Sequence, residues 1–154
     1  MARISRTERE ANKRMYDAVI YQIFVTEGWE AITFDRLAKE LNVRKSTLQG
    51  YYPSRGHFVT AIQGKILPMI LQFLDISSKD NFIHSWNQTL HDNPQFATII
   101  KMFIGNALQT DTSNITRQAL SHLQRQLQQN MSRDDAELAI KISIGDSVLV
   151  FSTY

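Results

Sequence analysis

Arg44, Lys45, Ser46, Thr47 and Gln49 bring polar side chains together around a single apolar residue, Leu48. These are the residue types that read base edges in a DNA groove. Arg and Lys donate to the N7 and O6 acceptors of guanine, Gln pairs with adenine through two hydrogen bonds, and Ser and Thr hydroxyls serve either way. Thr33, Tyr51 and Arg55 flank them at expected helix ends, positions from which side chains hold phosphates. The same types also suit a short helical hairpin with a solvated charged face. Residue chemistry alone leaves both readings open.

The elements that must position these residues are short. "FDRLAKEL" and "RKSTLQG" each give about two helical turns, joined by Asn42-Val43. Such helices do not hold alone. They need a third helix to cover Leu37, Leu41 and Leu48, and the preceding segment supplies it. That segment is expected to start at Thr7, with Glu10 completing a capping box. Its apolar face is read as Met15, Val19, Ile23 and Phe24, and Gly28 stops it. Three short helices with a basic third describe a helix-turn-helix, whose second paired helix enters the major groove. Thr33 is the expected cap of the second helix. Pro53 keeps Tyr52 out of a helix. Ser54 is then expected to cap a long fourth helix carrying Phe58, Ile62, Ile66, Met69, Ile70, Phe73 and Leu74, kinked at Pro68.

Apolar spacing of i, i+3, i+4 recurs along the chain and period-2 alternation is scarce, so the fold class is all-α. After the polar link "DISSKDN", one helix carries Phe82, Ile83, Trp86 and Leu90. Pro94 opens the next, with Phe96, Ile99, Ile100, Phe103 and Leu108. A third carries Ile115, Leu120, Leu123 and Leu127. The last is capped by Ser132 with Asp135 and runs through Ile140, Ile144, Val148 and Phe151 to the chain end. The helix-turn-helix domain is assigned to residues 1–55 and a second helical domain to 56–154.

Composition narrows the function classes. The 154 residues are 43% apolar, ordinary for a globular chain, and the net charge is only +2. That charge is uneven. Residues 1–60 hold ten Lys and Arg against seven Asp and Glu, and residues 61–154 hold seven against eight. Arg3, Arg6, Arg9, Lys13, Arg14, Arg44, Lys45 and Arg55 supply the excess, which suggests an anionic partner, nucleic acid before membrane. The absence of cysteine removes disulfides, thiolate zinc and thiol catalysis. No apolar run approaches the ~20 residues of a membrane span, and a cytoplasmic location is expected. His84 and His91 stand seven residues apart and lack the spacing of an i, i+4 histidine pair. With no HExxH, GxSxG or phosphate loop, neither an enzyme nor a cofactor nor a metal is expected.

The first 65 residues resemble the N-terminal domain of TetR-family transcriptional regulators. The resemblance rests on "FVTEGWEAIT", "RLAKELNV" and "STLQGYYPSRGHF". Phe24, Glu27, Gly28, Trp29, Thr33, Leu37, Ala38, Val43, Thr47, Leu48, Tyr51, Tyr52, Ser54 and Phe58 fall in register with the family pattern. Four positions depart from it. Ser46 replaces a small residue that is usually Gly, Gln49 a tyrosine, and Arg44 the serine that would cap the third helix. Ser54-Arg55-Gly56 replaces Ser-Lys-Glu, keeping the cation and losing the acid.

The resemblance implies a sequence-specific DNA-binding regulator, a repressor released by a small-molecule inducer, acting as a homodimer on a palindromic double-stranded operator. Thr33, Arg44, Lys45, Ser46, Thr47, Gln49, Tyr51 and Arg55 are then the DNA-binding set. It further implies that the C-terminal domain binds the inducer and dimerises. Trp86 and Phe103 are the expected pocket-lining residues, with His84, His91, Asn106 and His122 as polar candidates. Ile140, Ile144, Ser147, Val148 and Phe151 are the expected dimer interface, Gly145 allowing close approach. The alternative is a helix-turn-helix protein that acts through protein–protein or nucleoid contacts without an inducer.

Overall fold

Ser5, two residues ahead of the expected cap, opens α1 (Arg6–Glu27). Its Oγ accepts from the Glu8 amide at 3.1 Å, so Ser-Arg-Thr-Glu supplies the capping pattern one frame earlier than Thr-Glu-Arg-Glu. The computed structural model describes residues 3–152. α1 ends at Gly28, whose φ of 92° suits a residue without Cβ and whose amide donates to the Phe24 carbonyl at 3.0 Å. The buried stripe of α1 is Tyr16, Ile20, Ile23 and Phe24, while Met15 is 52% exposed. This stripe is rotated from the expected one because Tyr16 packs edge-on against Tyr51, ring centroids 5.1 Å apart.

A 3-10 turn, Trp29–Ala31, leads to α2 (Phe34–Leu41), and Thr33 caps it by accepting from the Arg36 amide. Asn42 ends α2 in the left-handed region, with φ 53° and ψ 47°, a conformation Asn tolerates better than most residues. α3 (Lys45–Gln49) follows directly. Two helices joined by this left-handed residue make the helix-turn-helix.

The long fourth helix does not form. Residues Arg55–Ala61 make a 3-10 segment and α4 spans Gln63–Leu71. Ser54 does not cap it. Its Oγ pairs with His57 Nδ1 at 2.8 Å, while Thr60 Oγ1 donates to the His57 carbonyl. Pro68 is accommodated inside α4, where it and Gly64 are both exposed, so the carbonyl deprived of its donor faces water. The backbone divides into one compact unit up to Gly64 and a second from Lys65. Phe58, Val59, Ala61 and Ile62 are buried, and the 3-10 segment that holds most of them packs on α1. Residues 56–64 therefore group with the first unit and not, as expected, with the second.

The second unit contains α5 (Lys79–Asp92), α6 (Pro94–Ala107), α7 (Ser113–Leu127) and α8 (Arg133–Ser152). Ser78, Asn93 and Ser132 each accept an amide hydrogen bond at 3.1 Å from the third residue on. Thr153 and Tyr154, the last residues of the expected final helix, lie outside the described residues. The chain is all-α, and no strand occurs among the described residues. No helix among them is long and apolar enough to cross a membrane.

α8 buries its small side chains. Ala136, Ala139, Ser143 and Ser147 face inward, all at 0% exposure. Small residues let a partner helix approach closely, and α5 makes the most extensive interhelical packing of the fold against this face. Trp86 of α5 fills the space left. It is 2% exposed, and its rings lie 5.7 Å from Phe82 and 5.2 Å from Phe96. Its indole Nε1–H donates to Ser147 Oγ at 2.8 Å, and Ser147 donates in turn to the Ser143 carbonyl. Asn87 of α5 donates to Asp146 at 2.9 Å on the same seam.

Removing the Ser147 hydroxyl strands a buried donor. Ser147→Ala is expected to destabilise the protein by about 1–3 kcal/mol, read as a lower midpoint of urea unfolding with an unchanged m-value.

Candidate nucleic-acid interface

Leu48 fixes α3. Its side chain is fully buried while Arg44, Lys45, Ser46, Thr47 and Gln49 around it are exposed. The five predicted readers thus share one small outward surface, and one apolar anchor beneath them sets its orientation. Arg44 is the N-cap and makes no side-chain cap bond, as expected from its replacing a serine.

The C-terminal end of α3 is held by α1. Arg9 Nη2 donates to the Gly50 carbonyl at 2.6 Å, and its guanidinium lies 4.3 Å over the Tyr51 ring. A cation at that end meets the negative pole of the helix and its unsatisfied carbonyls. Tyr51 also accepts from Asn12 Nδ2 at 3.3 Å. Arg9 was legible only as part of a basic N-terminal run. The signal that singles it out is its spacing: it lies seven residues before Tyr16, on the α1 face that meets Tyr51.

Below this surface runs a polar network. Tyr52 is fully buried and donates to Asp17 Oδ1 at 2.5 Å. Asp17 is paired with Lys13 at 2.7 Å, and Lys13 also reaches Thr60 and stands 4.6 Å over the Tyr52 ring. Burial, reinforced by the bond to Asp17, pushes the Tyr52 phenol far above its usual range, so it stays a donor. Arg36 bridges Glu27 at 2.6 Å and Glu40 at 2.9 Å. Its hydrogen bond holds the Glu27 carboxyl below the usual range.

The structure gives two predicted contacts structural roles. Thr33 caps α2 by accepting the Arg36 amide on Oγ1, which uses a lone pair and not its O–H. Arg55 donates to the backbone carbonyls of Ile32 at 2.9 Å and Trp29 at 2.8 Å, lies 5.0 Å over the Trp29 ring, and sits 3.6 Å from Glu30. It clamps the turn before α2 through Nε and Nη2. Lys45 pairs with Asp35 at 2.6 Å.

The second-unit candidates distribute differently. Trp86 belongs to the core, and Phe103 is half-buried. Neither lines the open cleft of about 650 Å³ bordered by Phe73, Asp75, Ile76, Ser85 and Asn130, nor the one of about 310 Å³ between α7 and α8. His84, His91 and His122 are exposed. Asn106 is 8% exposed, and its side-chain Nδ2 has no hydrogen-bond partner. No group of three or more His, Asp or Glu among the described residues is placed to hold a metal. Of the expected dimer residues, Ser147 is removed from the surface by its bond to Trp86. Ile140, Ile144 and Phe151 are half-buried, and Ile140 borders the α7–α8 cleft. Val148 is 44% exposed. The outward apolar stripe is instead Leu138, Ile142 and Leu149, with Gly145 in line.

A helix-turn-helix with an exposed polar second helix, followed by a separate helical unit, defines a helix-turn-helix protein of the regulator class. Residues 63–151, more than half of the chain, match the family model described as the tetracycline repressor LuxT C-terminal domain. The chain belongs to the TetR family of regulators. It is also similar to the nucleoid occlusion factor SlmA of Haemophilus influenzae, in strains PittGG and Rd. In both it is 27% identical over 119 residues, covering 71% of this chain and 53% of the relative. The chain spans about half the length of the curated relatives it matches.

The two carbonyls held by Arg55 belong to residues that are themselves buried. Arg55→Ala is therefore expected to lower the stability of the helix-turn-helix unit by about 1–3 kcal/mol. Thermal unfolding followed by circular dichroism measures it, and an unchanged midpoint would show that the clamp adds nothing to the stability of the unit.

Proposed function

We propose that this protein is a sequence-specific DNA-binding regulator, working as a homodimer on a palindromic duplex. The observation that carries the reading is the surface of α3, where Arg44, Lys45, Ser46, Thr47 and Gln49 are exposed around a buried Leu48. Arg44, Lys45 and Gln49 read bases in the major groove. Tyr51 and the exposed cations near the start of α1, Arg6 and Arg14 among them, meet phosphates. One helix of this length reaches few base pairs, so two copies are needed. Their recognition helices must lie about 34–36 Å apart, or a multiple of that, to reach one face of the duplex. The outward stripe of Leu138, Ile142 and Leu149 on α8 supplies the apolar surface for the second copy.

In this reading the protein is a cytoplasmic repressor, and a small-molecule inducer bound by the second unit releases it. A second reading keeps the DNA contacts and dispenses with the inducer. It is favoured by the core role of Trp86, which turns the expected pocket residue into a packing residue, and by the name of the SlmA relatives. Selection of bound duplexes from a random pool tests the common part, since enrichment of a two-fold symmetric sequence is expected. Release of the enriched duplex by a small molecule that also raises the unfolding temperature separates the inducer reading from the other.

Lys45→Ala and Gln49→Ala are expected to cost about 1–3 kcal/mol at one or two positions of the enriched duplex and little elsewhere. Competition binding against single-base variants measures this, and uniform loss at all positions would assign both residues to the backbone. Leu149→Asp would set a charge in the apolar seam between copies. Sedimentation is expected to show a monomer with native helicity and weak duplex binding, whereas a persistent dimer would place the interface off α8.

A further inference from the structure

Asp35 stands in the first turn of α2 and Lys45 is the first residue of α3, and their side chains meet across the turn, Oδ1 to Nζ, at 2.6 Å. The two side chains are 80% and 54% exposed. An ion pair so open to water gains little for the fold and is screened by salt. Of the other ion pairs of this unit, Arg6–Glu10, Lys13–Asp17 and Arg36–Glu40 run along a single helix, while Arg36–Glu27 and Arg55–Glu30 tie elements away from α3. This one joins the two helices of the motif and takes its cation from the reading surface itself. A carboxylate there opposes any polyanion, so its presence calls for an explanation beyond stability.

We infer that Asp35 is a specificity-determining residue. By pairing with Lys45 it cancels that cation toward backbone phosphate, and it gives the cation up to a base pair that satisfies both partners, a G·C pair foremost. The inference rests on the DNA-binding reading above. Non-specific affinity grows with the number of phosphates neutralised by free cations. A lysine already neutralised by a carboxylate adds nothing to that count. The pair displays a donor and an acceptor side by side. A G·C pair presents their complement in the major groove, the O6 acceptor of guanine beside the N4 amino donor of cytosine. An A·T pair also sets an amino donor beside an acceptor, but guanine alone offers a lysine two neighbouring acceptors, O6 and N7, so a G·C pair is the favoured exchange.

Asp35→Asn keeps size and helix-start character while removing the charge. Wild type, Asp35→Asn, Lys45→Ala and the double variant are to be titrated over a range of salt, against the random duplex pool and against the duplex most enriched from it. For Asp35→Asn we expect tighter binding to the random pool and a log K against log salt slope steeper by about one. The ratio of enriched to random affinity should fall about fivefold or more, with loss of a G·C preference at one position. In the Lys45→Ala background the same substitution should leave the slope unchanged. A wild-type slope and ratio in Asp35→Asn would overturn the inference, and so would equal steepening with and without Lys45. If wild type itself binds no duplex, the DNA-binding reading fails and takes this inference with it, an outcome distinct from a binding protein indifferent to Asp35.

Discussion

Everything outward in the first unit depends on the burial of one leucine. α3 has five residues, far too few to be helical alone. Leu48 in the core supplies the tertiary anchor, and the residues on either side of it are thereby forced to the surface. The anchor works because its surroundings are stiff. Tyr52, four residues on, is fully buried and tied by its hydroxyl to Asp17 of α1. Arg9, from the same helix, holds the carbonyl of Gly50. Both ties come from α1, so the longest helix of the unit serves as the frame on which the shortest one is oriented. Softening that frame would blur the reading surface without touching a reading residue.

The second unit solves a different packing problem by the opposite means. α8 puts alanine and serine inward and leaves Leu138, Ile142 and Leu149 outward. A helix with small residues on its buried face contributes little apolar area of its own, so its partner must contribute more. Trp86 does so, and the hydrogen bond to Ser147 satisfies the polar edge that a tryptophan carries into a core. The consequence reaches function. The largest aromatic residue of the unit is committed to packing, and the apolar stripe left outside is available to a second copy.

What was legible in the sequence was the part written in local chemistry. Thr33 before α2, Asn93 before Pro94, Ser132 before α8 and Gly28 after α1 all carry short-range signals, and the all-α class follows from spacing that recurs along the chain. The helix-turn-helix was legible for the same reason, as two brief apolar patterns on either side of Asn42-Val43. Three readings failed where local signals compete with tertiary ones. Ser5 and Thr7 both offer capping patterns, and the frame that satisfied Ser5 won. Ser54 looks like a cap but bonds His57, and burial of Phe58, Val59 and Ile62 tightened the segment into a 3-10 turn. Ser147 looked like surface on a helix bearing apolar residues on two sides, because nothing in α8 alone says which side meets Trp86. The carbonyl partners of Arg55 lie more than twenty residues away in the chain, so its clamping role was beyond local reasoning.

The partners of the cations shape the electrostatics of the first unit. Counted from sequence, the first unit is basic. Arg36, Lys13, Arg6, Lys45 and Arg55 each stand beside a carboxylate, whereas Arg9 donates to a backbone carbonyl and keeps its full charge. Long-range attraction to a polyanion depends on charge not already neutralised nearby, and it is screened beyond about 8 Å at physiological salt. In the proposed DNA-binding reading, a cation paired with a carboxylate gains affinity mainly on contact, where a base or phosphate replaces its internal partner. Each replacement has a geometric requirement that a free lysine would not impose. In that reading the internal ion pairs are part of the recognition chemistry, because they set which contacts raise affinity and which only exchange one partner for another.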